Sequence, residues 1–224
     1  RSKGAKAIFT ACRLAGFQVI IPETVVDEVL GNYQKQLLKA HDALETAGST
    51  LGKLAECDAV AFDVEDALST FKDEFAAMII EKGIQVLPYP PYSAQDLVRV
   101  AYNGKRPFDE KGNGHKDFLI WEAIKADMLK SSKGTPLIFV TENTNDFGVK
   151  KGQSDSHGRF ALHPDLISQI DEIKDDLIGY THLTKVMEQL VLPALDGLTI
   201  ENVDHLSEHV EDFVEDMVSE NLSF

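Results

Sequence analysis

Apolar residues recur along this chain in two rhythms, and the switch between them sets out most of the predicted elements. Residues 5–15 (AKAIFTACRLA) are spaced as a helix that Gly16 closes. Residues 17–21 (FQVII) form a short, nearly continuous apolar run, read as a strand that Pro22 stops. Pro22-Glu23-Thr24 then opens a helix with Val25, Val26, Val29, Leu30 and Tyr33 on its apolar face. Leu, Ala and Phe at spacings of three and four predict further helices over 34–47, 51–61 and 64–82, with Gly48 and Gly52 as breaks. A second strand is expected over 84–87 (IQVL), closed by Pro88, Pro90 and Pro91.

Ser93 is placed to cap a helix running to Val100, and 103–114, rich in Gly, Pro and charge, is expected to be a mobile loop. A strong helix follows over 115–129, then the clearest strand of the chain, 136–141 (PLIFVT). The polar stretch 142–158 holds most of the turn residues, and His163-Pro164-Asp165 opens another helical stretch. The remainder to Phe224 reads as two or three helices, the last strongly acidic. Short buried strands separated by helices, with no hairpin signals, predict a parallel sheet flanked by helices. Ligands of such sheets bind beyond the carboxyl ends of the strands, which directs attention to the residues just after each one.

Three groups of carboxylates lie where that rule looks. In the 115–129 helix the apolar stripe runs Ile120, Trp121, Ile124 and Met128, and at 100° per residue Asp117 falls on its centre. A carboxylate facing a core is costly unless something pairs with it, although Asp is also a favoured first-turn residue. Asp146 follows the 136–141 strand in the loop ENTNDF, where turn chemistry alone accounts for an Asp and where Phe147 can pin the loop to the core. After the first strand come Glu23, Asp27 and Glu28; Asp27 and Glu28 fall on opposite sides of the apolar face, and periodicity does not choose between them. Such acids, if they converge, would suit a hard cation, Mg2+ or Mn2+, which prefers oxygen ligands.

Charge sharpens this picture. The 224 residues carry 22 Lys and Arg against 37 Asp and Glu, a net −15, which argues against binding nucleic acid by a broadly basic surface. Any contact with a polyanion must pass through a local basic patch or through bound cations, which reverse the local sign. Cys12 and Cys57 have neither metal nor catalytic spacing and read as reduced thiols of a cytoplasmic protein, and no apolar run is long enough to span a bilayer. His115, His157, His163 and His182 show no ligand spacing, and no phosphate-loop or nucleophile-elbow motif occurs. The segment HLSEHVEDFVEDMVSE reads as an amphipathic helix with Leu206, Val210, Phe213, Val214 and Met217 inward, its acids solvated or used to dock a partner or a second copy.

The strings IPETVVDEVL, GHKDFLIWEAI and FVTENTNDF, in this order and context, resemble the PIN-like nucleases, specifically a bacterial subgroup with a long helical insertion. The resemblance covers roughly residues 5–170. It implies a three-layer α/β/α sandwich around a central parallel sheet, in a domain over 1–170 with a helical insertion about 33–82, followed by an acidic helical extension over 171–224. It favours Glu28, six positions after Pro22, over Asp27, and assigns Asp117 and Asp146 with it as ligands of Mg2+ or Mn2+. Thr141, Asn143 and Asn145 would orient ligands or substrate, and Lys116, Arg106 and Lys105 would meet substrate phosphates.

The implied activity is metal-dependent phosphodiester hydrolysis, with single-stranded RNA the favoured substrate. Two other readings stay open, a catalytically inactive scaffold and a phosphohydrolase of small molecules using the same acids. In the family a strand ending in a further Asp ligand precedes the first helix. Here the sequence starts at Arg1 within that helix, so the chain is expected to begin after the protein's true start.

Overall fold

A computed structural model describes residues 3–55, 61–132, 134–149 and 152–196. It is a helix-rich α/β structure with two small sheets. The expected acidic helix near the C-terminus lies outside the described residues, as does Cys57.

Helix α1 (Lys3–Leu14) leads through Gly16 into β1 (Ile20–Pro22), which pairs in parallel with β2 (Gln85–Leu87). Pro22 is therefore part of the strand, and its extended backbone also serves as the N-cap position of α2 (Glu23–Gly52). This helix runs unbroken for 30 residues, so the break expected at Gly48 does not occur, while Gly52 is its last residue. Glycine in a helix interior costs only about 1 kcal/mol, and packing overrides that. The return helix α3 (Val64–Glu81) lies against α2, with Tyr33 stacked on Phe71 at 3.7 Å between ring centroids. Asp63 caps α3, its side chain accepting from the amides of Glu65 and Asp66. The sequence also predicted a helix over 51–61, but residues 53–55 form a turn beyond the end of α2.

After β2, Ser93 and Asp96 form a reciprocal capping box at the start of α4 (Ala94–Tyr102). The loop 103–114 is more structured than its composition suggested. Its Phe108 and Pro107 are fully buried, and the Asp109 carboxylate accepts hydrogen bonds from the amides of Lys111 and Asn113 and from the Asn113 side chain.

Helix α5 (His115–Met128) packs against α2, β1 and β2 on one side and carries Trp121 into the main core on another. The second sheet has the order β3-β5-β4, with β3 (Leu137–Val140) and β5 (Leu177–Tyr180) parallel and β4 (Arg159–Phe160) antiparallel to β5. The short helices α6 (Thr144–Phe147) and α7 (Pro164–Ile167) and a 3-10 turn at Lys174–Asp176 fill the connections. Beyond β5 the chain forms α8 (Leu183–Val186), a π-helical stretch (Met187–Val191) and α9 (Leu192–Asp196). A strand at 177–180 was not expected where the sequence predicted only helices. The antiparallel β4 was not expected either.

Strand alternation divides the burial of β3 between two cores. Leu137 and Phe139 join Trp121, Met128, Phe147, Phe160, Leu166 and Ile170 on one face, while Ile138 meets Ala11, Cys12, Tyr180, Val186 and Val191 on the other. Helices therefore cover both faces of the β3-β5 pair, α5 and α7 on one side, α1 and α8 on the other. Gly179 is needed where β5 passes β4, because a Cβ there would stand 2.9 Å from the Phe160 carbonyl oxygen and 2.8 Å from its ring. The parallel pairs β1-β2 and β3-β5 lie in separate sheets among the described residues.

A candidate acidic metal centre

The first acid comes from the N-terminal turns of α2. Glu28 reaches Lys116 on α5, with 3.1 Å between Oε1 and Nζ. Its neighbours are used differently: Asp27 accepts from the Tyr89 hydroxyl at 2.6 Å, and Glu23 accepts from the Tyr89 amide at 3.3 Å. Asp27 and Glu23 thus tie α2 to the proline-rich segment after β2, whereas Glu28 turns to α5. Periodicity left positions 27 and 28 equal, and in the structure their side chains take different partners.

The second acid opens α5. Its N-cap is Gly114 with φ +114°, a backbone region that side-chain-bearing residues avoid. A Cβ at that position would lie 2.5 Å from the Pro107 carbonyl oxygen, so the helix can start against the 103–114 loop only with glycine there. Lys116 is exposed on the first turn, and Asp117 is half-buried beside it. Burial raises the Asp117 carboxyl above the ordinary value, the nearby charges of Asp146 and Glu28 push it the same way, and a hydrogen bond from Asn143 opposes them.

The third acid follows β3. The Thr141 amide donates to the Tyr180 carbonyl, continuing the β3-β5 ladder, and the Asn143 amide donates to Thr141 Oγ1 at 3.1 Å. Asn143 is thereby turned so that its Nδ2 donates to Asp117 Oδ1 at 2.8 Å. One turn of helix then carries Asp146, which faces Arg106 NH1 at 3.4 Å. Phe147 is buried and packs edge-on against Phe139 with centroids 5.1 Å apart, and buried Thr144 accepts from the Gly152 amide at 2.9 Å. Both anchor the loop. Asn145 and Lys105 are exposed, and Lys105 stands in neither of these ion pairs.

Three elements, α2, α5 and α6, thus bring Glu28 and Asp146 close enough for their charges to act on Asp117. Each acid meets a donor of the protein itself: Lys116, Asn143 and Arg106 respectively. The three do not all approach within 4.8 Å; among the described residues the group that does is His41, Asp42 and Glu45 on α2. That group is a surface set within two helical turns, with His41 and Glu45 at 4.0 Å. The donor set of Glu28, Asp117 and Asp146, all oxygen, fits a hard divalent cation, which would relieve the repulsion that adds to burial in raising Asp117.

Several neighbours of this region were not singled out in the sequence. Arg106 also gives its backbone amide to Asp165 at 3.1 Å. Behind Asp117, the buried Glu122 accepts from the Tyr92 hydroxyl at 2.8 Å and pairs closely with Lys125, which also donates to Gln169 at 3.1 Å. Trp121 Nε1 donates to the same Gln169 oxygen at 3.1 Å. Periodicity sees Glu122 as a surface acid, and only its three-dimensional partners show otherwise. Cys12 is buried, and that burial pushes its thiol up, away from reactivity.

A family match puts the chain in a metal-dependent nuclease-type superfamily. The chain belongs to the PIN domain family, whose model matches residues 1–147, about two thirds of its length. No curated protein and no solved structure gives a match. No helix among the described residues is long and apolar enough to cross a membrane.

Proposed function

We propose that this protein is a metal-dependent endonuclease of single-stranded RNA, and that Glu28, Asp117 and Asp146 hold Mg2+ or Mn2+. The observation that carries the reading is the convergence of these three acids from three elements of a PIN domain, with Asp117 half-buried and its charge disfavoured by the other two. A divalent cation bound there supplies charge neutralisation at the phosphate and a more acidic water. Asn143 fixes the orientation of Asp117, and Thr141 fixes Asn143, the usual task of groups one layer out from a metal. Asn145, on the same turn as Asp146, is exposed and available to substrate. Lys116, Arg106 and Lys105 provide the local positive charge that the net −15 otherwise denies, and they position phosphates without reading bases.

The matching fold reading is a three-layer α/β/α sandwich in which β1-β2 and β3-β5 are parts of one central sheet. Supporting it is the coverage of β3 and β5 by helices on both faces, and the packing of α5 against strands of both sheets. RNA as substrate rests on the family resemblance, and a cytoplasmic setting on the reading of Cys12 and Cys57 as reduced thiols.

Calorimetric titration with Mn2+, beside cleavage assays on single-stranded RNA, tests the activity. Asp117→Asn and Asp146→Asn should each weaken Mn2+ binding tenfold or more, about 1.4 kcal/mol, and abolish cleavage. Binding that neither substitution changes would place any metal elsewhere. Metal binding without cleavage of RNA would favour a scaffold, and turnover of mononucleotides instead would make it a phosphohydrolase.

A further inference from the structure

We infer that Lys116 and Arg106 are exchangeable counter-ions of the acidic centre, neutralising Glu28 and Asp146 in the metal-free protein and passing to substrate phosphates once those carboxylates hold a divalent cation. This rests on the metal-site reading above and adds to it a coupling between metal and substrate. The argument begins with how the donors are distributed. Two cations from different segments each meet a different carboxylate, Lys116 at 3.1 Å from Glu28 and Arg106 at 3.4 Å from Asp146. Asp117, itself half-buried, has instead a neutral partner, the Asn143 amide. An amide can stay beside a carboxylate that also meets a metal. An ammonium or guanidinium sharing that carboxylate is repelled by the added charge.

The Lys116–Glu28 pair is open to water and the Arg106–Asp146 pair partly so, which eases the exchange. Side-chain exposures are 66% and 41% for Lys116 and Glu28, and 34% and 26% for Arg106 and Asp146. Pairs so exposed are weak, because solvent screens them and ordering two long side chains opposes them. They are strong enough to offset repulsion among the acids and too weak to hold against a divalent ion.

The freed cations have somewhere to go. Arg106 also lines a concave cleft that carries Lys111 and His163 together with three acids, Asp109, Glu110 and Asp165. Lys116 is exposed and adjacent in sequence to Asp117, so its ammonium stays at the rim of the same site. A chain of net charge −15 repels a polyanion wherever its cations are already spent on its own carboxylates. Releasing two of them only when metal is present makes RNA binding conditional on a loaded site. Linkage requires the reverse as well, that RNA tightens the metal.

The test uses the full chain with Lys116→Ala and Arg106→Ala, each checked by thermal melting in EDTA. Mn2+ affinity is read by calorimetry, and binding of a short single-stranded RNA by fluorescence anisotropy in Ca2+ and again in EDTA. Each substitution should raise Mn2+ affinity about threefold or more, the scale of an exposed ion pair. Each should weaken RNA binding in Ca2+ by a similar factor and leave the weaker binding in EDTA unchanged. Lys116→Arg should restore the parent's values. Unchanged or lower Mn2+ affinity in both variants, with the parent binding normally, overturns the exchange and leaves the metal site standing. Equal loss of RNA binding in Ca2+ and EDTA also overturns it, since the two residues would then be plain phosphate contacts. A parent that binds no Mn2+ removes the metal-site reading and this coupling together.

Discussion

Asn143 donates its side-chain amide to Asp117 at 2.8 Å, joining the turn after β3 to the first turn of the helix before it. The bond links two parts of the acidic centre that are separated by a strand and a loop. It also favours the charged form of a carboxylate that burial and two neighbouring acids push toward the neutral one.

That conflict has a sign that can be measured. The Asp117 carboxyl is raised in the folded protein, so the native state holds its proton more tightly than the unfolded chain does. The ionised group therefore opposes folding at neutral pH, and this opposition fades as pH falls through the raised value and is gone below the ordinary one. Asp117→Asn is expected to raise the melting temperature at pH 7 in EDTA, with the gain disappearing toward pH 3.5 and below. Melting curves across that range check it; a gain that persists in acid would assign the effect to something other than charge.

The start of α5 sets a second expectation. Gly114→Ala forces a Cβ into a φ of +114° and to within 2.5 Å of the Pro107 carbonyl oxygen. The substitution should cost about 1–3 kcal/mol by chemical denaturation. Because Lys116 and Asp117 follow directly, Mn2+ affinity should fall with it. Loss of stability with metal affinity intact would mean that the helix start can shift without moving the acid.

Tyr92 offers a spectroscopic check on the buried Glu122 network. Burial, followed by the hydrogen bond to Glu122 and its charge, pushes the Tyr92 phenol up to about 12. Ultraviolet titration of the folded protein should show a tyrosine ionising well above the ordinary phenol range, and this late step should vanish in Tyr92→Phe.

Lys125 tests the same network from its other side. With Lys125 changed to Met, Glu122 keeps its burial and loses its counter-charge, which should cost roughly 3 kcal/mol in urea unfolding. Changing Glu122 to Gln as well should recover most of that loss. If the double variant is as unstable as the single one, packing by the lysine stem rather than charge explains the effect.

How much of this could be read from the sequence varied with how local the deciding physics was. The strand 137–140 and the Ser93 cap were legible because period and capping chemistry are properties of a few neighbouring residues. Strand β5, LIGY, was hidden because four residues with a glycine carry no periodic signal, and its place depends on pairing with β3 across the chain. Gly48 looked like a helix stop, yet α2 runs through it, supported by α3. The loop 103–114 looked mobile by composition, although Asp109 and buried Phe108 organise it. Asp27 and Glu28, equal by periodicity, take different partners, Tyr89 and Lys116, which no short stretch of sequence encodes.

Glu28 sits near the base of a rod, the 30-residue helix α2, and that position has a mechanical consequence. At about 1.5 Å per residue, the carboxylate stands some 8 Å from the start of α2 and the far end about 45 Å from it. Tilting such a rod about its base by about 5° moves the tip by about 4 Å and Glu28 by about 0.7 Å. The hairpin of α2 and α3 is thus a long lever with the acid on its short arm. Displacements at the tip are geared down about sixfold before they reach the carboxylate, onto the sub-ångström scale at which reacting groups must be aligned.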